Sequence, residues 1–271
     1  MDFAACGGHL SVLKWLHANR SEGCSATAMD WAAMNRHLSV VEWLHANRSE
    51  GSSTRAMDEA AGNGHLSMVE WLHANRSEGC TREAMNKAAR AGHLSMMEWL
   101  HDHRSEGCTR RAMDWAVMNG HLSMMDWLHA NGFARCNYLF PVNKVAVKGD
   151  LSVIEWLHEN YYENNIHIFD PANSMIDAAR AGHLFLVEWL YANCNECHRF
   201  EALDNVCSDG RTRSVKNWGS EKITENDWDG IYDEMYRDME LQMAASTTSA
   251  EEQQEDNGSR LRKAGVGQAS T

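Results

Sequence analysis

A Trp-Leu pair returns seven times along this chain at almost constant distance. The tryptophans are Trp15, Trp43, Trp71, Trp99, Trp127, Trp156 and Trp189; the first five lie 28 residues apart, the sixth follows after 29 and the seventh after 33. A fixed period of about 20 to 50 residues is the signature of a stacked-repeat solenoid. One unit of this size cannot bury its own apolar face, so stability is shared between neighbouring copies. The period therefore fixes the fold class while leaving the partner of such a surface unnamed.

The most regular unit runs from Thr81 to Cys108 and reads as two helices. A small hydroxyl residue opens the first: Ser25, Ser53, Thr81 and Thr109 hold equivalent places. Such a side chain accepts a bond from the free N–H groups of the first turn. Met85, Ala88 and Ala89 follow at i, i+3 and i+4, one helical face, and the Ala-Ala pair lets a neighbouring helix come close. Gly92 ends this helix, a slot shared by Gly8, Gly64, Gly120 and Gly182. Glycine enters the left-handed conformation without penalty. Arg36 fills the slot in the second unit, where a left-handed arginine is expected to be strained by about 1–2 kcal/mol. The second helix is predicted over about 94–103, with Leu94, Met97 and Leu100 as its apolar row and Trp99 beside it.

The Ala-Ala-x-x-Gly-His-Leu-Ser-x-x-Glu-Trp-Leu core, seen from Ala60 to Leu72 and at its sister positions, resembles the ankyrin repeat family over roughly residues 1–195. The resemblance implies an all-α solenoid of stacked helix-turn-helix repeats and a protein-binding role. Two departures matter. Ala84 and Asn86 stand where the family's Pro and His would fall, and most units have 28 residues where the family has 33. Asn-Arg-Ser-Glu-Gly-Cys replaces the long connection after the second helix; only the last connection, Glu159 to Ser174, keeps full length. Few or no β-hairpins are therefore expected.

The domain reading is a solenoid over 1–198 with about seven repeats, an irregular linker over 199–223, an amphipathic helix over 224–245 and a disordered tail over 246–271. Trp228, Ile231, Tyr232, Met235 and Met239 give the tail helix its apolar spacing, while Ser, Thr, Glu, Gln and Gly dominate the residues after it. Met1 falls inside the first helix of a repeat, without the hydroxyl cap, so the first repeat reads as truncated and the native chain is expected to begin upstream.

Composition narrows the function. The net charge of −13 argues against nucleic acid, whose phosphates need clustered Lys and Arg. No apolar run approaches the 18 or more residues of a membrane span, and the start has neither the basic nor the apolar region of a signal peptide. An intracellular, cytoplasmic or similar location and reduced thiols are expected.

Residues with chemical potential are mostly products of the repeat. His9, His37, His65, His93, His121 and His183 follow the turn; His17, His45, His73, His101, His129 and His158 follow Trp-Leu. A zinc ligand must lie about 2.0–2.1 Å from the metal, yet equivalent residues of neighbouring units are about 8–10 Å apart. These ladders therefore hold no metal. The same spacing forbids disulfides along Cys24, Cys80, Cys108 and Cys136. Glu42, Glu70, Glu98, Asp126, Glu155 and Glu188 read as a solvated stripe. Cys194-Asn-Glu-Cys197-His198 matches a haem-attachment pattern, and with Cys207 a zinc set, but one C-x-x-C without a spaced second pair is a weak signal. No metal or cofactor is assigned, and no catalytic motif appears, so the chain is not expected to be an enzyme.

The repeats differ chiefly at two first-helix positions. The residue before the Ala-Ala pair is Phe3, Trp31, Glu59, Lys87, Trp115, Lys144 or Asp177; the residue after it is Cys6, Met34, Gly62, Arg90, Met118, Val147 or Arg180. Three residues apart, they share a helix face. Phe3, Trp31, Met34, Glu59, Lys87, Arg90, Trp115 and Met118 are the candidate partner-binding residues, and the expected partner is another protein. Two rival readings are a zinc or redox module at Cys194–Cys207 on an inert spacer, and a truncated repeat-family member without independent function.

Overall fold

The computed structural model describes residues 1–133, 140–162, 171–193 and 213–225, together with Val206. Its helices come in pairs. The first helices are α1 (Asp2–Cys6), α3 (Ala26–Met34), α5 (Thr54–Gly62), α7 (Arg82–Ala91), α9 (Arg111–Asn119), α11 (Phe140–Lys148) and α13 (Pro171–Ala181). The second helices are α2 (Leu10–Asn19), α4 (Leu38–Asn47), α6 (Leu66–Asn75), α8 (Leu94–His103), α10 (Leu122–Ala130), α12 (Leu151–Leu157) and α14 (Leu184–Asn193). A π-helical turn over His158–Tyr162 prolongs α12. There is no strand among the described residues. The molecule is an all-α solenoid of stacked helix pairs.

Local chemistry sets the helix starts. Ser25, Ser53 and Thr81 sit in extended backbone and accept a bond from the N–H two residues on, at 3.2, 3.2 and 3.1 Å. Thr109 does the same for Arg111 N at 3.3 Å. A cap of this kind contributes about 1 kcal/mol. Met1, which precedes α1, makes no such bond.

The core is one long strip. Met85, Ala88 and Ala89 are buried on α7, and Met57, Ala60 and Ala61 on α5. On α8 the buried row is Met96, Met97 and Leu100, whereas Leu94 is only half-buried. The apolar face is thus wider than the Leu94, Met97, Leu100 spacing implies, because each second helix lies between its own first helix and both neighbouring repeats. Full burial of one such side chain contributes about 1.5–3 kcal/mol.

The two layers pack differently. First helices touch one another directly through their alanines, while second helices barely meet. What stands between second helices is an aromatic step: His17 meets the Trp43 ring edge-on at 5.3 Å, His45 meets Trp71 at 5.3 Å, and His101 meets Trp127 at 5.2 Å. Trp15 has no such histidine before it and is 58% exposed.

The turn between paired helices needs a left-handed residue. At Gly92 φ is +75°, and a Cβ there would lie 2.8 Å from His121 Nδ1. Arg36 takes φ 64° in the same slot and is the single non-glycine with positive φ among the described residues. Arg36→Gly is expected to raise stability by about 1 kcal/mol by releasing left-handed strain. A higher urea midpoint at unchanged slope would report it; an unchanged or lower midpoint would refute it.

The region after the repeats departs from expectation. Residues 199–223 read as irregular, yet Arg213–Glu225 is a helix, α15. It docks on α14: Val215 is buried, and Trp218 meets Tyr191 edge-on at 5.3 Å. Its polar composition hides a two-residue apolar contact, Val215 and Trp218 at i, i+3, that becomes helical by packing. The helix expected at 224–245 coincides with it only at 224–225; the remainder, and the tail, lie outside the described residues.

Candidate recognition surface

Three ladders of polar contacts bind repeat to repeat and absorb most of the chemically capable side chains. The first runs from a first-helix carboxylate or amide to the hydroxyl cap of the next repeat. Asp30 accepts from Ser53 N at 2.8 Å and from its Oγ at 2.6 Å; Asp58 accepts from Thr81 N at 2.8 Å and Oγ1 at 2.7 Å. Asn86 takes both bonds from Thr109 on one oxygen, at 2.9 and 3.1 Å. Asp30, Asp58 and Asn86 are buried. Burial raises the Asp58 carboxyl above its ordinary range, against the lowering effect of the Thr81 bonds.

The second ladder uses the turn histidines. His65 Nε2 donates to Met34 O at 3.1 Å, His121 Nε2 to Arg90 O at 3.1 Å, and His183 Nε2 to Val147 O at 2.8 Å. Each satisfies a free carbonyl at the end of the preceding first helix. Asp150 occupies this slot in the sixth repeat, and there Lys148 Nζ donates to Met118 O instead. Burial pushes the His65 imidazole below its ordinary value.

The third ladder lies in the short turns and was missed from the sequence, although Asn-Arg-Ser-Glu-Gly-Cys recurs there. Arg48 forms a two-bond pair with Glu50, Arg76 with Glu78 and Arg104 with Glu106. Arg48 Nη1 also donates to His17 Nδ1 of the preceding repeat at 3.4 Å. The arginine bond holds the Glu50 and Glu78 carboxyls down at about 2. Beside this ladder sit the cysteines. Burial pushes the Cys80 and Cys108 thiols up to about 11, which leaves little thiolate at neutral pH.

No group of three or more His, Cys, Asp or Glu able to hold a metal occurs among the described residues. Cys194, Cys197, His198 and Cys207 lie outside them. No described helix is long and apolar enough to cross a membrane.

The side chains left over form a stripe along the first helices. Positions i, i+4 and i+7 put Arg55, Glu59 and Gly62 on one face of α5, Glu83, Lys87 and Arg90 on α7, and Arg111, Trp115 and Met118 on α9. Here the variable residues meet across repeats. Phe3 and Trp31 lie with ring centroids 5.8 Å apart. Glu59 takes Lys87 Nζ at 2.8 Å and lies 4.0 Å from Arg55; Glu83 lies 3.8 Å from Arg111. The Arg90 guanidinium sits over the Trp115 ring at 5.5 Å. Phe3 is 84% exposed, Arg90 is exposed, and Trp31, Met34, Glu59, Lys87, Trp115 and Met118 are half-buried. Pairing within a helix was legible as residues three apart; pairing between helices was not. The stripe is a surface of rings and charges.

Two family models match the chain. One, described as Ankyrin repeats (3 copies), covers residues 57–138; the other, Ankyrin repeats (many copies), covers residues 1–45. None of the curated proteins matches it.

Proposed function

This chain is an ankyrin-repeat protein, and from that premise we propose that it is a non-enzymatic scaffold that holds another protein on its first-helix stripe. Ankyrin repeats are in general protein-interaction modules. One observation carries the finer reading. Most residues of the three ladders recur from unit to unit, whereas the residues that change most lie together on one face of the first helices. Recognition needs that combination: a constant frame and a sequence-specific face. The face offers aromatic anchors at Trp31 and Trp115, flexible Met34 and Met118 beside them, and Lys87 and Arg90 between, with Phe3 and Glu59 completing it. Trp, Met and Arg are the residue types enriched where protein interfaces are energetically concentrated.

Trp31→Ala with Trp115→Ala is expected to weaken partner retention by more than about tenfold, the loss typical of hot-spot truncation. The measurement is affinity capture from lysate, wild type beside the double variant, with helix content checked by circular dichroism. Arg90→Glu provides an independent arm, because its side chain is exposed and its loss leaves the core intact. A partner retained equally by wild type and both variants would refute the surface assignment.

A further inference from the structure

The first-helix stripe is basic in a chain that is acidic. The net charge is −13. Yet the stripe positions of repeats three to six hold Arg55, Lys87, Arg90, Arg111 and Lys144 against Glu59 and Glu83, a surplus of three positive charges. The second helices carry the opposite sign, with Glu42, Glu70, Glu98 and Asp126 all exposed. Charge is thus sorted between the two layers. Both stripe carboxylates are already engaged: Glu59 takes Lys87 Nζ at 2.8 Å, and Glu83 lies 3.8 Å from Arg111. Arg90 is exposed and makes no ion pair among the described residues. Its guanidinium lies over the Trp115 ring, 5.5 Å from the centroid. Stacking of this kind holds the planar fork in place and leaves its edge donors open, and that fork matches a carboxylate through two parallel bonds.

Along its length the stripe changes character. In repeats one and two it carries no charge: Phe3 and Trp31 stand with ring centroids 5.8 Å apart, beside Cys6, Thr27 and Met34. Given that the stripe is the recognition surface, we propose that its occupant is an extended acidic segment of another protein. An aromatic or aliphatic side chain of that segment rests on the Phe3–Trp31 rings, and its carboxylates meet Arg90 and Arg111. From α3 to α7 is two steps of about 8–10 Å each, and an extended chain covers about 3.3 Å per residue, so anchor and first carboxylate stand about five or six residues apart. A polyphosphate fits less well, because the acidic second layer repels it and the stripe's few surplus cations give it few contacts.

The test is to pan a displayed library of random peptides of about 12 residues, long enough to run from α3 to α9, against the full chain at low ionic strength. Enriched peptides are expected to carry net negative charge, with an apolar anchor about five or six residues from the acids. Binding of a synthetic peptide of that consensus is expected to weaken as salt is raised. It is expected to weaken more than about tenfold in Arg90→Glu/Arg111→Glu, and equally when its acids are replaced by glutamine. A peptide with lysine in place of those acids is expected to bind the charge-reversed chain better than wild type, which an unfolded variant could not produce. Enriched peptides with no acidic excess would overturn the acidic occupant; if their binding is lost in Trp31→Ala/Trp115→Ala, the recognition surface itself still stands. Acidic peptides indifferent to the Arg90 and Arg111 reversals, or no enrichment at all, would also overturn it, while lysate capture judges the surface separately.

Discussion

Gly92→Val is expected to destabilise the chain by roughly 3–5 kcal/mol, enough to separate its two halves thermodynamically. Three effects add. Left-handed backbone costs an L residue about 1–2 kcal/mol, and a β-branched one more. The new Cβ would stand 2.8 Å from His121 Nδ1, a distance that real Cβ contacts do not reach, so the ring must move. His121 then loses its bond to Arg90 O, which keeps only the Asn119 amide at 3.2 Å, and the loss of one such bond costs about 0.5–1.5 kcal/mol. Since solenoid stability is a sum of units and nearest-neighbour terms, the damage falls on the junction between repeats four and five. Urea unfolding followed by circular dichroism should become biphasic. A single transition displaced by less than about 1 kcal/mol would show that the turn is not built as described.

Asp58→Ala is the second large effect, and its companion Asp58→Asn should be nearly silent. Alanine removes both bonds from Thr81, so that its N–H and hydroxyl lose their acceptors at the seam between α5 and α7. A bond to a charged group contributes about 1.5–3 kcal/mol; with two broken at the exposed Thr81, roughly 2–4 kcal/mol is expected. Asparagine should differ from wild type by less than about 1 kcal/mol, because Asn86 already does this work in the next repeat, accepting from Thr109 N and Oγ1. The two variants also separate in pH. Burial raises the Asp58 carboxyl above its ordinary 3.8, so the folded state keeps that proton to higher pH than the unfolded chain. This group's contribution is therefore full below 3.8 and declines as pH rises through its raised folded value. Asp58→Asn should remove that decline. Glu50 and Glu78 act in the opposite sense: held at about 2 against 4.5 in the unfolded chain, they support the fold above 4.5 and lose that support as pH falls towards 2. Equal destabilisation by alanine and asparagine at neutral pH would show that side-chain volume, not hydrogen bonding, matters at position 58.

The fold was readable because its determinants lie within one unit. The 28-residue recurrence, the Ser or Thr cap, the Ala-Ala pair and the turn glycine each act over a few residues, and the second helix of repeat four falls at Leu94–His103, where its pattern puts it. What the sequence concealed acts between units. Asp58 reaches Thr81 across 23 residues and His65 reaches Met34 across 31. Periodicity makes these residues recur without saying which neighbour each one touches. The Arg48–Glu50 pair is local, but its function is to close a turn that supplants a longer family loop, so no familiar pattern flagged it. Helix α15 was hidden for another reason: Val215 and Trp218 are too few to give a periodic signal, and the helix is fixed by what it rests on. The variable stripe was legible as a set of unlike residues, whereas the Phe3–Trp31 and Arg90–Trp115 contacts needed the stacking register.

The alanine seam on one side and the histidine–tryptophan step on the other make every junction a small wedge. Where first helices nearly touch and second helices are held apart, each added repeat must rotate by the angle that those side chains set. The bend of the described repeats is thus a sum of independent hinges. Enlarging one alanine would open one hinge without disturbing the rest, and adding another copy of the unit would lengthen the arc while keeping its radius.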